Sequence, residues 1–489
     1  MIASMHTSAS GSYPRIGMLI NGHWLHPHGP WLDVINPSNE AVIGRVPIAA
    51  PHDLDAALAG AITGLTIWRS TPPASRAQVM HKAAALLRAR VESIAPRIVL
   101  ELGKTLQEAR NETIRAADIL DWDAGQALRI YGRINPSVAG WRQMVLRQPI
   151  GVVAAFTPWN APIGSPARKI SGAIAAGCSI IIKPAEETPA GACALAECLH
   201  DAGLPPGVLN IVFGNPSDIS QHLIASSTIR LVTFTGSIAV GRQLALLAAQ
   251  HMKPTIMELG GHAPVIVCAD ADPIEVAKLA AAAKFRMAGQ ICVSPSRFIV
   301  HERIYKAFVD AFSLAANSLC VRPGLDEGAQ MGALANARRL QATIGLVEDA
   351  VNCGARIAAG GKRIGESGFF FQPTVLAEVP THAKAMSVEP FGPLATVSAF
   401  TDLSAAIELA NQLHVGLAAY AFTNSLAMAE RMADELETGL LSINHFGAAA
   451  ADMPFGGVQA SGFGREGGAE SLDAYTTTKM VSVRTSVTA

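Results

Sequence analysis

The sequence predicts an α/β protein wound around two sheets, with a small β-appendage, and three observations carry that reading. From Ile150 onward, short β-like runs (GVVAAF, CSIIIK, VLNIVF, IRLVTF, TIMEL) alternate with helix-like segments (SPARKISGAIAA, AGACALAECLHDAG, AVGRQLALLAAQH). Strands alternating with helices argue for a parallel sheet covered on both faces. The alternation restarts at APVIVC (263–268) and runs through DPIEVAKLAAAAKFRMAG, RFIVH and IYKAFVDAFSLAANSL, so two αβ halves meet near residue 257. Finally, 489 residues with 50% hydrophobic and 16% charged side chains leave room for roughly three domains with sizeable cores.

The flanking elements follow in order. Residues 1–16 are polar and Gly/Ser-bearing, and are expected to form a disordered arm. Short strands follow in MLINGHW, WLDVINP and VIGRVP, and Pro51 to about Leu128 is helical in pattern. Residues 129–148 break that pattern and, with the β-like tail 469–489, are expected to form an appendage. The division is therefore 17–128 with 149–256 as one domain, 257–455 as a second, and the appendage as a third part.

Composition excludes several classes. With 38 Lys+Arg against 39 Asp+Glu, nothing draws the whole chain to nucleic acid or an anionic membrane. The most apolar run, Ile170 to Ile182, is 13 residues long, too short to span a bilayer. The seven cysteines include no C-x-x-C pair, and the first residues lack an apolar h-region, so a reduced cytoplasmic setting is expected and no metal site.

Gly462-x-Gly464-x-x-Gly467 matches a dinucleotide fingerprint, but too little chain remains after it for a βαβ unit, so it reads as loop glycines. A better phosphate candidate is Phe234-Thr-Gly236-Ser237-Ile-Ala-Val-Gly241, where a strand turns into a helix whose first N–H groups are free. A plain N-cap is the simpler reading of that segment alone. Cys292 stands apart from the other cysteines, which read as inert helix- or strand-face residues, because it lies in the polar loop Gly289-Gln-Ile-Cys-Val-Ser. Glu258 ends a strand beside Gly260 and Gly261, where it suits acid/base work or a salt bridge. Asn160 also follows a strand end and suits either an oxyanion donor or an Asx-turn.

The motifs F-T-P-W-N, K-P-A-E-x-T-P, F-T-G-S-x-x-V-G, E-L-G-G, G-Q-x-C and E-P-F-G-P occur in that order. Through them the sequence resembles the NAD(P)-dependent aldehyde dehydrogenase superfamily, from about Met18 to the tail, nearest to its succinate-semialdehyde dehydrogenase-like branch. The resemblance implies a Rossmann-type NAD domain, an α/β catalytic domain and a β-arm that pairs subunits into a homodimer or homotetramer. It implies Cys292 as nucleophile, Glu258 as general base and Asn160 as oxyanion donor. For the cofactor it implies Lys183 and Glu186 at the adenosine ribose, Gly236 and Ser237 at the pyrophosphate, Trp159 lining the site, and Glu389 with Phe391 at the nicotinamide ribose. A carboxylate at Glu186 repels a 2′-phosphate, so NAD is expected over NADP.

For the substrate, the resemblance implies Arg168 and Arg286 as holders of a distal carboxylate, a task that the bidentate guanidinium suits. This points to a semialdehyde acid. Met287 and His262 replace asparagines common in the family, the family's carboxylate-binding serine is replaced within Ala448–Asp452, and Ser294 replaces a second cysteine. These departures leave room for a bulkier, partly aromatic substrate. A general or aromatic aldehyde dehydrogenase with both arginines structural, a cysteine-dependent esterase, and a non-catalytic lens-type protein are the rival readings.

Overall fold

The computed structural model describes residues 13–27, 29–447 and 450–484. The first sheet has eight strands in the order His23–Leu25, Met18–Ile20, Leu209–Ile211, Ser179–Lys183, Val152–Phe156, Ile229–Gly236, Thr255–Leu259, Gly462–Phe463. The five strands between Leu209–Ile211 and Thr255–Leu259 run parallel, and the outer ones are antiparallel. Their interior is almost wholly apolar: Val153, Ile180, Ile181, Ile182, Leu231 and Val232 have no exposure at all. Continuous apolar runs of this kind are what a sheet covered on both faces requires.

The order matters for function. Successive strands run outward from Val152–Phe156 to Leu209–Ile211 on one side, then resume at Ile229–Gly236 on the other. That reversal opens a crevice beyond the C-terminal ends of the two central strands. Four helices, Pro51–Trp68, Pro73–Ala89, Val91–Leu102 and Leu106–Ala127, fill the stretch expected to be helical. Thr105 caps the last of them in a reciprocal capping box with Glu108.

The second sheet has seven strands in the order Arg356–Ala359, Thr374–Ala377, Leu394–Phe400, Arg297–His301, Pro264–Val267, Ala418–Phe422, Leu440–Ile443. All its pairs are parallel except the first. A third sheet joins Arg133–Asn135, Trp141–Pro149 and Thr476–Arg484, the two irregular pieces that the sequence suggested would pair.

The structure differs from expectation at several points. Residues 1–12 of the expected N-terminal arm lie outside the described residues, but Tyr13 and Ile16 are buried in the first core, and Tyr13 donates to Glu101 Oε2 at 2.5 Å. Strand Thr255–Leu259 is continuous and belongs to the first sheet, so a boundary at 256/257 cuts through it. Leu472 and Tyr475 are buried in the first core, and the tail's strand starts at Thr476 rather than 469. The helix expected to run to Gly289 stops at Phe285, because Met287 and Ala288 adopt left-handed backbone (φ 52° each).

Candidate active site

A cavity of about 1160 Å³ occupies the crevice and the space between the two large sheets. Every candidate residue contributes to its wall: Trp159, Asn160, Arg168, Lys183, Glu186, Gly236, Ser237, Glu258, Arg286, Cys292, Glu389 and Phe391. The topology explains the convergence. Lys183, Gly236 and Glu258 sit at or next to the C-terminal ends of three parallel strands, and Trp159 and Asn160 follow a fourth.

Cys292 lies half-buried in the loop entering strand Arg297–His301. Burial, with Glu389 and Glu258 nearby, pushes its thiol up to about 12, and Arg168 acts the other way. Asn160 is carried beside this loop: its side-chain amide donates to the Gln290 carbonyl at 3.0 Å. An amide nitrogen has two hydrogens, so one donor remains for a ligand. Glu258 is 2% exposed, and neither carboxylate oxygen has a partner among the described residues. Burial and the neighbouring Glu466 hold its carboxyl well above the usual range, against Lys169, Arg168 and Arg465. A Cβ at Gly456 would stand 2.8 Å from Glu258 Oε1, so that glycine leaves the carboxylate its space.

The cofactor candidates form a donor set suited to a dinucleotide. Ser237 caps helix Ile238–Gln250, accepting from Val240 N–H at 3.4 Å, and its first turn opens onto the cavity. Free N–H groups there suit a pyrophosphate. Lys183 forms an ion pair with Glu186. Glu389 reaches over Gly260, where a Cβ would meet its Oε2 at 2.5 Å. Burial raises Glu389 to about 8, against the Gly261 N–H, Arg339 and Lys284. Trp159 and Phe391 meet edge to face, with centroids 5.4 Å apart.

Arg168 and Arg286 line the same cavity. Arg168 lies over the Phe455 ring, 4.8 Å from its centroid, and its Nη1 is buried without a partner among the described residues. The departures have local explanations. His262 is a buried link: Ser296 Oγ lies 2.7 Å from its Nδ1 and the Ala385 carbonyl 3.1 Å from its Nε2. Burial and Arg297 hold it well below the usual imidazole range, hence neutral. Ser294 accepts from the buried Lys284 at 3.2 Å. Met287 gives its N–H to Glu108 Oε1 at 2.6 Å. Ala448 and Ala449 of the replaced serine segment lie outside the described residues. Of the remaining cysteines, Cys193 and Cys198 are on a helix, whereas Cys320 and Cys353 sit beyond helix ends.

Sequence reasoning missed five residues in three places. Glu466 lies in the glycine-dense loop, where Lys169 binds its Oε1 at 2.7 Å and holds it near Glu258. Lys284 is buried beside Glu389, and burial lowers it to about 7. Glu108, Glu112 and Arg115 line the cavity from one face of helix Leu106–Ala127. Their i, i+4, i+7 spacing is the signal that could have found them.

Among the described residues, no three His, Cys, Asp or Glu side chains gather to hold a metal, and no helix is long and apolar enough to cross a membrane. The aldehyde dehydrogenase family model matches residues 24–481. The chain is 45% identical over 466 residues to a putative 4-(hydroxymethyl)benzenesulfonate dehydrogenase of Comamonas testosteroni, covering 95% of this chain and 97% of the relative. It is 39% identical over 467 residues to the NADP(+) succinate-semialdehyde dehydrogenase of Escherichia coli K12, with the same coverage. A crystal structure of succinate-semialdehyde dehydrogenase from Burkholderia pseudomallei superposes with a TM-score of 0.95 at 37% identity, covering 99% of this chain and 100% of that one. The ordered motifs, the crevice they line and these matches together make the chain a member of the aldehyde dehydrogenase family, an oxidoreductase.

Proposed function

We propose that the protein oxidises an aldehyde bearing a remote anionic group to the carboxylic acid, using NAD. The observation that carries this is the sharing of one cavity by Cys292, Glu258 and Asn160 with two arginines that form no ion pair among the described residues. The names of the relatives support it. Succinate semialdehyde and hydroxymethylbenzenesulfonate both carry an anion away from the carbon that reacts. Phe455 beneath Arg168, and Trp159 nearby in the wall, favour an aromatic body as a second option to a short aliphatic one.

In this reading the Cys292 thiol gives its proton to Glu258 and on to solvent, Sγ adds to the aldehyde carbon, and the carbonyl oxygen becomes an oxyanion. The spare Asn160 N–H and the Cys292 backbone N–H stabilise that charge. NAD, held by Lys183, Glu186, the Ser237 turn and Glu389, supplies the hydride acceptor when bound. Loss of hydride from the tetrahedral carbon leaves a thioester on Cys292. Glu258 then takes a proton from water, whose oxygen attacks the thioester, and the acid leaves as Cys292 recovers its proton. NAD is favoured because the Glu186 carboxylate lines the cavity, where it would accept from ribose hydroxyls and disfavour a 2′-phosphate.

The unpaired outer edge of strand Thr476–Arg484, with Met480 exposed, supports pairing between subunits into a homodimer or homotetramer. Seven unpaired cysteines support a reducing, cytoplasmic setting. The test is initial rates of NAD reduction with succinic semialdehyde, 4-formylbenzoate, butanal and benzaldehyde. Arg168→Ala and Arg286→Ala should raise KM for the anionic aldehydes about 10- to 100-fold, the loss of one charge-assisted contact. Equal effects on butanal would make both arginines structural.

A further inference from the structure

The nucleophile lies in a tight turn that two buried side chains fasten from behind the cavity wall. Ser294 N–H donates to the Ile291 carbonyl at 2.9 Å, so Cys292 and Val293 are the central residues of the turn. Ile291, Cys292 and Val293 line the cavity. The Tyr420 hydroxyl donates to the Val293 carbonyl at 2.6 Å, and among the described residues no other donor reaches that oxygen. Tyr420 is 1% exposed, lies on strand Ala418–Phe422 and stands behind the lining. Its ring packs on Phe446, with centroids 4.9 Å apart, and Phe446 also packs on Phe422. The buried Lys284 donates to Ser294 Oγ at 3.2 Å. Just before the turn, Gln290 accepts from Asn160 through its carbonyl and from the Ala335 N–H through Oε1.

These bonds form a path to the oxyanion donor. The Val293–Ser294 peptide is held at both polar ends, its carbonyl by Tyr420 and its N–H by the Ile291 carbonyl. That carbonyl shares one planar trans peptide with the Cys292 N–H, so the two point in opposite directions. Fixing the carbonyl therefore aims the N–H, which bonds no other backbone carbonyl among the described residues. We infer that Tyr420 is a positioning residue: its hydroxyl holds the 291–294 turn so that the Cys292 N–H and Sγ stay aimed at one aldehyde carbonyl. This rests on the proposed oxidation through Cys292. Because Tyr420 stands behind the lining, it acts on the rate of the chemical step and not on what is bound.

The experiment measures single-turnover NADH formation and steady-state KM for the parent, Tyr420→Phe and Ser294→Ala, with 4-formylbenzoate and benzaldehyde. Tyr420→Phe removes one oxygen and keeps the ring on Phe446. Its single turnover should slow about tenfold, by the same factor with both aldehydes, while each KM stays within about threefold. Ser294→Ala releases the Lys284 anchor and should slow the same step by more than about threefold. Amide exchange in Tyr420→Phe should rise over residues 290–296 and stay unchanged in strand Pro264–Val267, which pairs with the strand of Tyr420. Slowing of less than about threefold, slowing confined to one aldehyde, or a loss carried by KM overturns the inference. Where Tyr420→Phe does not fold, Ser294→Ala decides by the same criteria. A parent that oxidises no aldehyde would overturn the proposed reaction instead. Exchange over 290–296 then decides alone: a rise in Tyr420→Phe upholds the anchor, and unchanged exchange overturns it.

Discussion

Replacing Glu466 by Gln should change both stability and pH dependence, in directions that the structure dictates. Lys169 is fully buried, bonded to Glu466 Oε1 at 2.7 Å and Thr233 Oγ1 at 2.9 Å. Removing one partner of a buried pair costs about 3–5 kcal/mol, and retention of the Thr233 bond argues for the lower end, about 3 kcal/mol. Glu466 is also the second-largest cause, after burial, of the raised Glu258 carboxyl. Losing that like charge, and freeing the Lys169 cation, both help Glu258 to ionise. One pKa unit is about 1.4 kcal/mol, and one charge removed at close range moves a carboxyl by roughly a unit or more. The rising limb of kcat against pH should therefore shift to lower pH by roughly one unit when thioester hydrolysis is limiting. Lys169→Met should move the same limb to higher pH, since it removes the cation and leaves Glu466 charged. Urea denaturation and kcat profiles on both variants provide the assay. Nonspecific damage would move both limbs the same way. Shifts of one sign, or none, would refute the electrostatic link.

Other outcomes follow from the same geometry. Glu258→Gln should raise the thermal midpoint, and the gain should grow as pH rises above the ordinary carboxylate range. The folded state holds its proton on Glu258 more tightly than the unfolded state does, so ionisation penalises the parent fold as pH rises. A gain independent of pH would contradict this. Glu186→Ser should raise the NADP/NAD ratio of kcat/KM at least tenfold, read from parallel initial rates; an unchanged ratio would remove the carboxylate from cofactor choice. Met287→Asn should stabilise the protein by about 0.5–1 kcal/mol in urea denaturation, because asparagine tolerates the left-handed backbone found there (φ 52°).

The fold was legible in the sequence where elements are buried on both faces. Strand Ser179–Lys183 is readable from its apolar centre, Ile180 to Ile182, because no side of it meets water. Helix Leu106–Ala127 was legible as a helix, but its cavity-lining face with Glu108, Glu112 and Arg115 was not, because its polar residues look like any solvated face until the opposite wall is known. The end of helix Pro273–Phe285 was missed for a different reason. Met287 and Ala288 are unremarkable helix formers, and their left-handed turn is imposed from outside by bonds such as that from Met287 N–H to Glu108. Glu466 was hidden because the loop around Gly462–Phe463 returns to strand Thr255–Leu259 through backbone pairing, a contact that leaves no side-chain pattern. The candidate residues themselves were legible through their motifs, since each motif closes a strand or loop at the crevice.

The proposed oxidation requires a covalent thioester at Cys292 resolved by Glu258. Intact-protein and peptide mass spectrometry of Glu258→Gln, mixed with NAD and succinic semialdehyde or 4-formylbenzoate, tests it most directly. The expected result is one acyl group per chain, located on the Cys292 peptide, formed with a burst of NADH and absent from Cys292→Ala. Sustained turnover by Cys292→Ala, or an adduct on any other residue, would contradict it.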